Sequence, residues 1–322
     1  MKVAGIAAHS LLEMIKNDRA KNQMTKLVEW KNSGRRIQTP LFKHKVFIVD
    51  LGDTTATPKE TLLLIHGFPE SSFSYHKVVD GLLKTFKRIV LFDFIGYGYS
   101  DKPTSNYSYS LFEQADVAFQ VWHQLGVKGG HLLSHDMGDS VATELAARDV
   151  AGNLPAWFSE GFQSYTFTNG SMVLDLAKLR LGQKALLSGL GSVFSKLSTK
   201  RLFVQQAASA HGNDHLDLDD LDHMWQQTTE QNGHRLNHKI IQYLKDRKRF
   251  EKIRWLPSLS KLKQPIHLCW GEADAVASVA MAHHLKANVC TQATLTLMPN
   301  VGHFCQLSDP DIWVKSVSKF YN

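Results

Sequence analysis

Cysteine is scarce in this chain. Cys269, Cys290 and Cys305 are the full set among 322 residues, an odd number without the closely paired spacing of a zinc site. No disulfide framework is expected, and the chain reads as one kept in a reducing compartment, the cytoplasm. Long apolar runs are also missing. No stretch of about 18 uninterrupted apolar residues occurs, which argues against a membrane-spanning helix. The start of the chain mixes His9, Glu13, Lys16, Asp18 and Arg19, so it offers neither the apolar stretch nor the cleavage site of a secretory signal. There is no phosphate-binding loop, dinucleotide fingerprint, internal repeat or low-complexity tract, and no cofactor or metal is expected. Nor does one sign of charge dominate: 37 basic and 30 acidic residues leave a formal charge of +7. The basic residues are dispersed except in Lys245-Asp246-Arg247-Lys248-Arg249, which reads as a solvated helix face rather than a nucleic-acid contact.

What remains is the composition of an ordinary folded enzyme, 43% hydrophobic and 21% charged, far from disordered or collagenous classes. Short apolar runs rich in β-branched residues recur at Val46–Val49, Leu62–Ile65, Ile89–Phe92, Leu132–Leu133, Tyr165–Phe167, Ile266–Trp270 and Leu295–Met298; these are expected strands. Helical stretches separate them, the clearest opening at Ser110-Leu111-Phe112-Glu113, a capping box, and running to Leu125 before Gly126. The alternation predicts an α/β fold, a mostly parallel sheet of about eight strands covered by helices on both faces. It breaks from about Met172 to Leu256, where no strand run appears. An inserted helical cap is expected over 172–256, between core segments 1–171 and 257–322. Apolar residues from Leu174 to Phe203 lie near helical spacing and either line a cavity or pack on the core.

The strongest local signal is Leu132-Leu133-Ser134-His135-Asp136-Met137-Gly138. A strand turning sharply into a helix needs small residues two positions either side of the exposed residue, and Ser134 and Gly138 meet that need around Asp136. The helix start that follows favours negative charge there. A plainer reading of Asp136 is a helix cap or a buried ion pair. A second frame, Gly138-Asp139-Ser140-Val141-Ala142, would expose Ser140 instead. It requires the strand to continue through Met137, whereas the apolar run ends at Leu133.

His66-Gly67-Phe68-Pro69 follows the strand Leu62–Ile65, where the amide of Phe68 could join that of Met137 as an oxyanion hole. His303, in Val301-Gly302-His303-Phe304, follows the last strand, and Asp274, with Glu272 as the fallback, follows Ile266–Trp270. The order nucleophile, acid, histidine is that of an α/β-hydrolase triad. An aspartate nucleophile is ionised without help and can form an alkyl ester, which a histidine-activated water then hydrolyses.

His66-Gly67-Phe68-Pro69, the run Asp93 to Pro103, His135-Asp136-Met137-Gly138 and Gly302-His303 together resemble the epoxide hydrolase and haloalkane dehalogenase branch of the α/β-hydrolase superfamily, from about residue 40 to the C-terminus. Leu133-Ser134-His135-Asp136 with Gly138-Asp139, and Gln242-Tyr243 before a basic run and Trp255, look most like the subgroup of mesoderm-specific transcript proteins and their bacterial relatives. The resemblance implies a small or medium apolar substrate and hydrolase chemistry. It also implies a halide-binding tryptophan and asparagine in dehalogenases, where this chain has Met137 and Phe68, neither a side-chain donor. Fluoroacetate-type enzymes would carry arginine after the nucleophile, which is absent. Epoxide hydrolases use cap tyrosines as proton donors, and Tyr243 is the candidate, or else a packing residue. The alternatives are an ester hydrolase through Ser140, a dehalogenase-like enzyme and a non-catalytic ligand-binding relative. The aspartates from Asp214 to Asp222 read as a solvated loop capping a helix rather than a calcium site, and His211/His215 and His234/His238 as surface histidines rather than metal ligands.

Overall fold

Strand β5 (Gly129–His135) is the axis on which everything else is hung. In the computed structural model, which describes residues 26–212 and 216–321, β5 pairs in parallel with β3 (Thr61–Ile65) on one side and β6 (Gly161–Thr168) on the other. The sheet has eight strands in the order β1-β2-β4-β3-β5-β6-β7-β8, completed by β1 (Arg35–Gln38), β2 (Lys45–Gly52), β4 (Arg88–Phe92), β7 (Ile266–Gly271) and β8 (Thr294–Met298). The pairs β1–β2 and β2–β4 are antiparallel and the others parallel. The reading of His9 to Arg19 and the readings of Asp214 and His215 lie outside the described residues.

The expected apolar runs all fall on strands, for a simple reason. Side chains alternate between the two faces of a strand, and here both faces are covered, so both sets are apolar. Leu132 joins the core on one face with Val141 and Trp122, and Leu133 joins the core on the other with Leu64 and Trp313. Each such fully buried Leu or Phe contributes roughly 1.5–3 kcal/mol of transfer free energy. The strand that the apolar criterion missed is β1, Arg-Arg-Ile-Gln, an exposed edge where charge blocks further pairing.

Helix α1 (Leu111–Gln124) starts where expected, with the Ser110 hydroxyl accepting the Glu113 N–H at 3.2 Å. The reciprocal half of the box is not made. The Glu113 carboxylate turns to the N–H and hydroxyl of Ser108. Helix α2 (Met137–Val150) follows β5 and is buried from Met137 through Ala147, which explains its small and apolar composition. Of its two deeply buried acids, Asp139 accepts the Ser134 hydroxyl, and Glu144 is compensated by Arg148, Arg254 and the indole N–H of Trp255, so it clasps the segment leading to β7 to the core.

Among the described residues, those between β6 and β7 form no strand. They hold α3 (Lys200–His211), α4 (Leu218–Thr229), α5 (Tyr243–Phe250) and several shorter helical turns; α6 (Val279–Asn288) and α7 (Pro310–Tyr321) belong to the sheet's flanks. The stretch Leu174 to Phe203 is divided between short helices at Leu181–Leu187 and Gly191–Lys196 and the start of α3.

Three surface readings are corrected. Arg247, within the basic run, is fully buried; it donates to the carbonyls of Ser171 (2.8 Å) and Met172 (2.9 Å). His211 is buried at the end of α3, and His234 and His238 are partly buried. Asp217 caps α4 by accepting the Asp219 N–H, but Asp220 is buried against Lys77 at 2.6 Å rather than solvated. All three cysteines are free and buried. Among the described residues no helix is long and apolar enough to cross a membrane.

Candidate active site

The turn between β5 and α2 falls on Asp136, with φ 48° and ψ −115°, a left-handed conformation that costs a non-glycine residue on the order of 1–3 kcal/mol. The neighbours explain why only small residues fit around it. A Cβ on Gly138 would lie 2.7 Å from the His66 carbonyl oxygen, and one on Gly67 would lie 2.6 Å from the Asp136 Cβ. Strand β5 runs two residues beyond the apolar Leu133 but ends at His135. Ser140 is therefore buried within the first turn of α2, not at the elbow.

The loop after β3 brings the Phe68 N–H to Asp136 Oδ2 at 2.8 Å. Its shape is held by His66, whose ring donates from Nδ1 to the Gly67 carbonyl (2.8 Å) and accepts the Phe94 N–H at Nε2 (3.0 Å). Burial drives the His66 pKa down to about 4, which keeps that tautomer neutral. The Met137 N–H opens α2 and so has no acceptor within its own helix. The motif from Asp93 is a brace for this region. Asp93 accepts the Ser72 N–H (2.8 Å) and the Tyr99 N–H (2.7 Å).

His303 lies between two carboxylates. Its Nδ1 donates to Asp274 Oδ2 at 2.8 Å, and its Nε2 faces Asp136 Oδ1 at 3.5 Å. Asp274 is itself fixed, with Oδ1 accepting the N–H groups of Val276 (2.7 Å) and Ala277 (2.9 Å). Glu272, the fallback, is exposed. Burial disfavours charge on His303, but Asp274 and Asp136 outweigh it and raise its pKa well above the usual value. For Asp136, burial likewise opposes ionisation, and the facing His303 overcomes it, so the carboxyl is held below its ordinary range.

Several residues here carried no signal that would single them out in the sequence. Asn169, just past β6, donates to Asp274 Oδ2 at 2.7 Å and accepts the Gly271 N–H at 3.0 Å. His211 accepts the His303 N–H on its carbonyl (2.9 Å) and the Phe304 N–H on Nδ1 (3.1 Å), and a Cβ on Gly302 would meet that carbonyl at 2.4 Å. Glu70 is buried behind the elbow, its Oε1 accepting from Gln306 (2.9 Å) and its Oε2 lying 3.3 Å from His135 Nε2. Burial, with the Asp136 charge, raises the Glu70 pKa to about 8, while burial lowers that of His135 to about 3. At neutral pH the proton between them therefore sits on Glu70.

Tyr243 opens α5 and is buried against the Phe68 ring, 6.4 Å between centroids, within the field of Asp136. Tyr97 packs on the same ring at 6.4 Å. Burial raises both phenol pKa values well above 10, so both stay protonated. Neither is on the wall of the cavity at Asp136. That cavity, about 150 Å³, is lined by Asp136, His303, Phe68, Leu186, Phe203 and their neighbours, a mostly apolar volume of the order that holds a benzene-sized molecule. Among the described residues no cluster of three or more His, Cys, Asp or Glu could hold a metal ion.

A strained elbow at the end of a central parallel strand, facing an amide and a histidine–carboxylate pair, is the site of a hydrolase fold. The chain belongs to the alpha/beta hydrolase fold family, whose model matches residues 60–310. It is 33% identical over 290 residues to the candidate hydrolase LipZ of Mycobacterium tuberculosis (strain ATCC 25618 / H37Rv), covering 89% of this chain and 95% of that one. It is 30% identical over 308 residues to the human mesoderm-specific transcript homolog protein, covering 92% and 88%. Epoxide hydrolase 1 of Caenorhabditis elegans is 24% identical over 277 residues, covering 84% and 66%. The subgroup expected from Leu133-Ser134-His135-Asp136 is thus among its relatives.

Proposed function

We propose that this α/β hydrolase works through an aspartyl ester, with Asp136 as nucleophile, His303 as base and Asp274 as its orienting acid, on small or medium apolar epoxides. The observation that carries the reading is the division of labour between the two oxygens of Asp136. Oδ2 is already held by the Phe68 N–H, while Oδ1 is unencumbered by a hydrogen bond and faces His303. Oδ1 attacks the epoxide carbon, the ring C–O bond breaks, and the released oxygen takes a proton from a phenol, for which Tyr243 is the candidate. A water then attacks Cγ of the ester as His303 takes its proton, and the negative charge develops on Oδ2 between the amides of Phe68 and Met137. Collapse breaks the Cγ–Oδ1 bond, the leaving oxygen takes the proton back from His303, and a diol carrying the original Oδ1 departs; the Asp136 carboxyl then returns its proton to His303.

The electrostatics fit the order of these steps. At rest the two flanking carboxylates favour the protonated form of His303, which opposes its acting as a base. Forming the ester removes one of those charges and leaves a phenolate, so the histidine gives up its proton, through water, to restore the phenol and becomes a base when the second step requires one. Halide displacement is less well served, since the side chains of Phe68 and Met137 have no donor to stabilise the leaving ion.

One turnover of an epoxide panel in ¹⁸O-water, with enzyme in excess, tests the scheme. Heavy oxygen should enter Asp136, read by peptide mass, and not the first-turnover product. Label in the product alone would mean direct attack of water on the epoxide and would overturn the ester, and fluorophosphonate labelling of Ser140 would replace the scheme with the serine reading. The absence of Tyr243 from the cavity wall favours a second reading, a ligand-binding relative without turnover, which predicts neither label.

A further inference from the structure

Among the described residues, the largest block of exposed apolar side chains lies in one stretch of the chain, the helices that enclose the mouth of the Asp136 cavity. Leu181 is 84% exposed, Leu197 67% and Leu190 62%, with Val193, Phe194 and Leu202 each above 40%. Phe194, Leu197 and Leu202 are at the same time part of the cavity wall. The cavity therefore opens directly onto the apolar patch. Water-facing leucines scattered singly need no account, but a contiguous set around an opening marks a surface made for a partner.

The charge of the stretch says which partner. From residue 176 to residue 213 the sequence holds Lys178, Arg180, Lys184, Lys196, Lys200 and Arg201 and no Asp or Glu. Lys178, Lys184, Lys196 and Arg201 are exposed, while Lys200 is held by Asp222 at 2.9 Å. A groove on the far side of helix Leu181–Leu187 is lined by Lys178 and Lys184 together with Lys245 and Lys248 of α5, over an apolar floor that includes Leu187 and Leu244. The exposed part of the basic run thus lines a groove one helix away from the cavity. Apolar residues flanked by lysines, with no acid in the stretch itself and the adjoining Asp175 and Asp222 already paired with Lys252 and Lys200, form the pattern of a surface that settles into the headgroup region of an anionic bilayer. A second copy of the chain is a poorer fit, because a two-fold contact would set these lysines against each other.

We infer that the face formed by residues 178–202, with Lys245 and Lys248, docks on anionic lipid bilayers. Apolar side chains enter the interface and the lysines meet lipid phosphates. Resting on the hydrolase reading above, this would set the cavity mouth against the acyl region, so that the substrate is drawn from the bilayer. The docking itself requires no turnover, and its test is kept separate from the chemistry.

Co-sedimentation of the full chain with sucrose-loaded vesicles provides that test. Binding should be clear with vesicles containing about one-third phosphatidylglycerol, weak with pure phosphatidylcholine, and reduced in 0.5 M salt. Lys184→Glu/Lys196→Glu should weaken it on the order of fivefold per lysine removed, and Leu190→Asp/Val193→Asp, neither residue on the cavity wall, should abolish it. Equal binding to both vesicle types, no binding to either, or unchanged binding by the variants would overturn the inference. So would a wild-type dimer that becomes a monomer in Leu190→Asp/Val193→Asp, since the patch would then be an interface between copies. Loss of vesicle binding with ¹⁸O labelling of Asp136 intact would remove the docking and leave the chemistry; the reverse result would do the opposite.

Discussion

Nε2 of His303 stands 3.5 Å from Oδ1 of Asp136, an ion-pair separation rather than a hydrogen bond. In the proposed scheme the gap leaves Oδ1 free to attack while favouring the ionised carboxylate, and it places the histidine beside the carbon that water would later reach.

Replacing His303 by Gln should therefore separate the two steps. Asp136 would still form the ester, but no base would assist its hydrolysis, so an adduct of substrate mass should accumulate on the Asp136 peptide. Turnover should fall by about 10²–10⁴. His303→Gln/Asp136→Asn should show no adduct by intact mass. An adduct that persists in the double variant would mean that Asp136 is not the nucleophile.

Glu70 gives a prediction in pH. Its folded pKa of about 8 lies above its ordinary 4.5, so the stability linked to its protonated form is fully present below about pH 4.5 and is lost as pH rises through about 8. Glutamine in its place does not titrate, can still accept from Gln306, and can donate to His135. The unfolding free energy of Glu70→Gln relative to wild type should rise between pH 5 and pH 8, by on the order of 1–3 kcal/mol. Urea denaturation at the two pH values measures it; a flat difference would show that Glu70 is ionised throughout.

Tyr243→Phe separates acid from packing. As the proton donor, Tyr243 is worth about 10²-fold or more in kcat with little change in KM. A packing role predicts instead a loss of stability with kcat preserved. Tyr97→Phe, on the other side of the Phe68 ring, serves as the comparison, and steady-state kinetics on an epoxide with thermal unfolding distinguish the outcomes.

Arg247 should matter for folding although it sits in a run of exposed bases. Arg247→Leu leaves the carbonyls of Ser171 and Met172 without their donor, and a loss of roughly 2–5 kcal/mol is expected by chemical denaturation. Lys248→Leu, an exposed neighbour, should change stability by less than about 0.5 kcal/mol.

The difference between those two residues shows where reading the sequence stops. Strands with both faces covered are apolar throughout, so β3, β4 and β5 were plain, and the elbow at Asp136 was legible because its turn demands Ser134 and Gly138. Asp274 and His303 could be placed because each follows an apolar strand. Asn169 and His211 could not, since their parts depend on loops that meet only after folding, more than ninety residues from the groups they hold. Glu144 and Arg247 look like ordinary surface charges until their partners are known. The edge strand β1 was missed for the converse reason, because charge protects an edge and hides the strand from an apolar criterion.

The chain leaves the sheet after β6 and returns to it at β7, and every helix that shapes the cavity mouth is spelled out in that interval. Asp136 and the amides are encoded before the excursion, Asp274 and His303 after it. On the proposed scheme, and with Tyr243 as the exception, selection can thus rewrite what the protein accepts without editing the segments that hold the nucleophile, its histidine and its acid, and a lineage could exchange one clientele for another while inheriting that machinery.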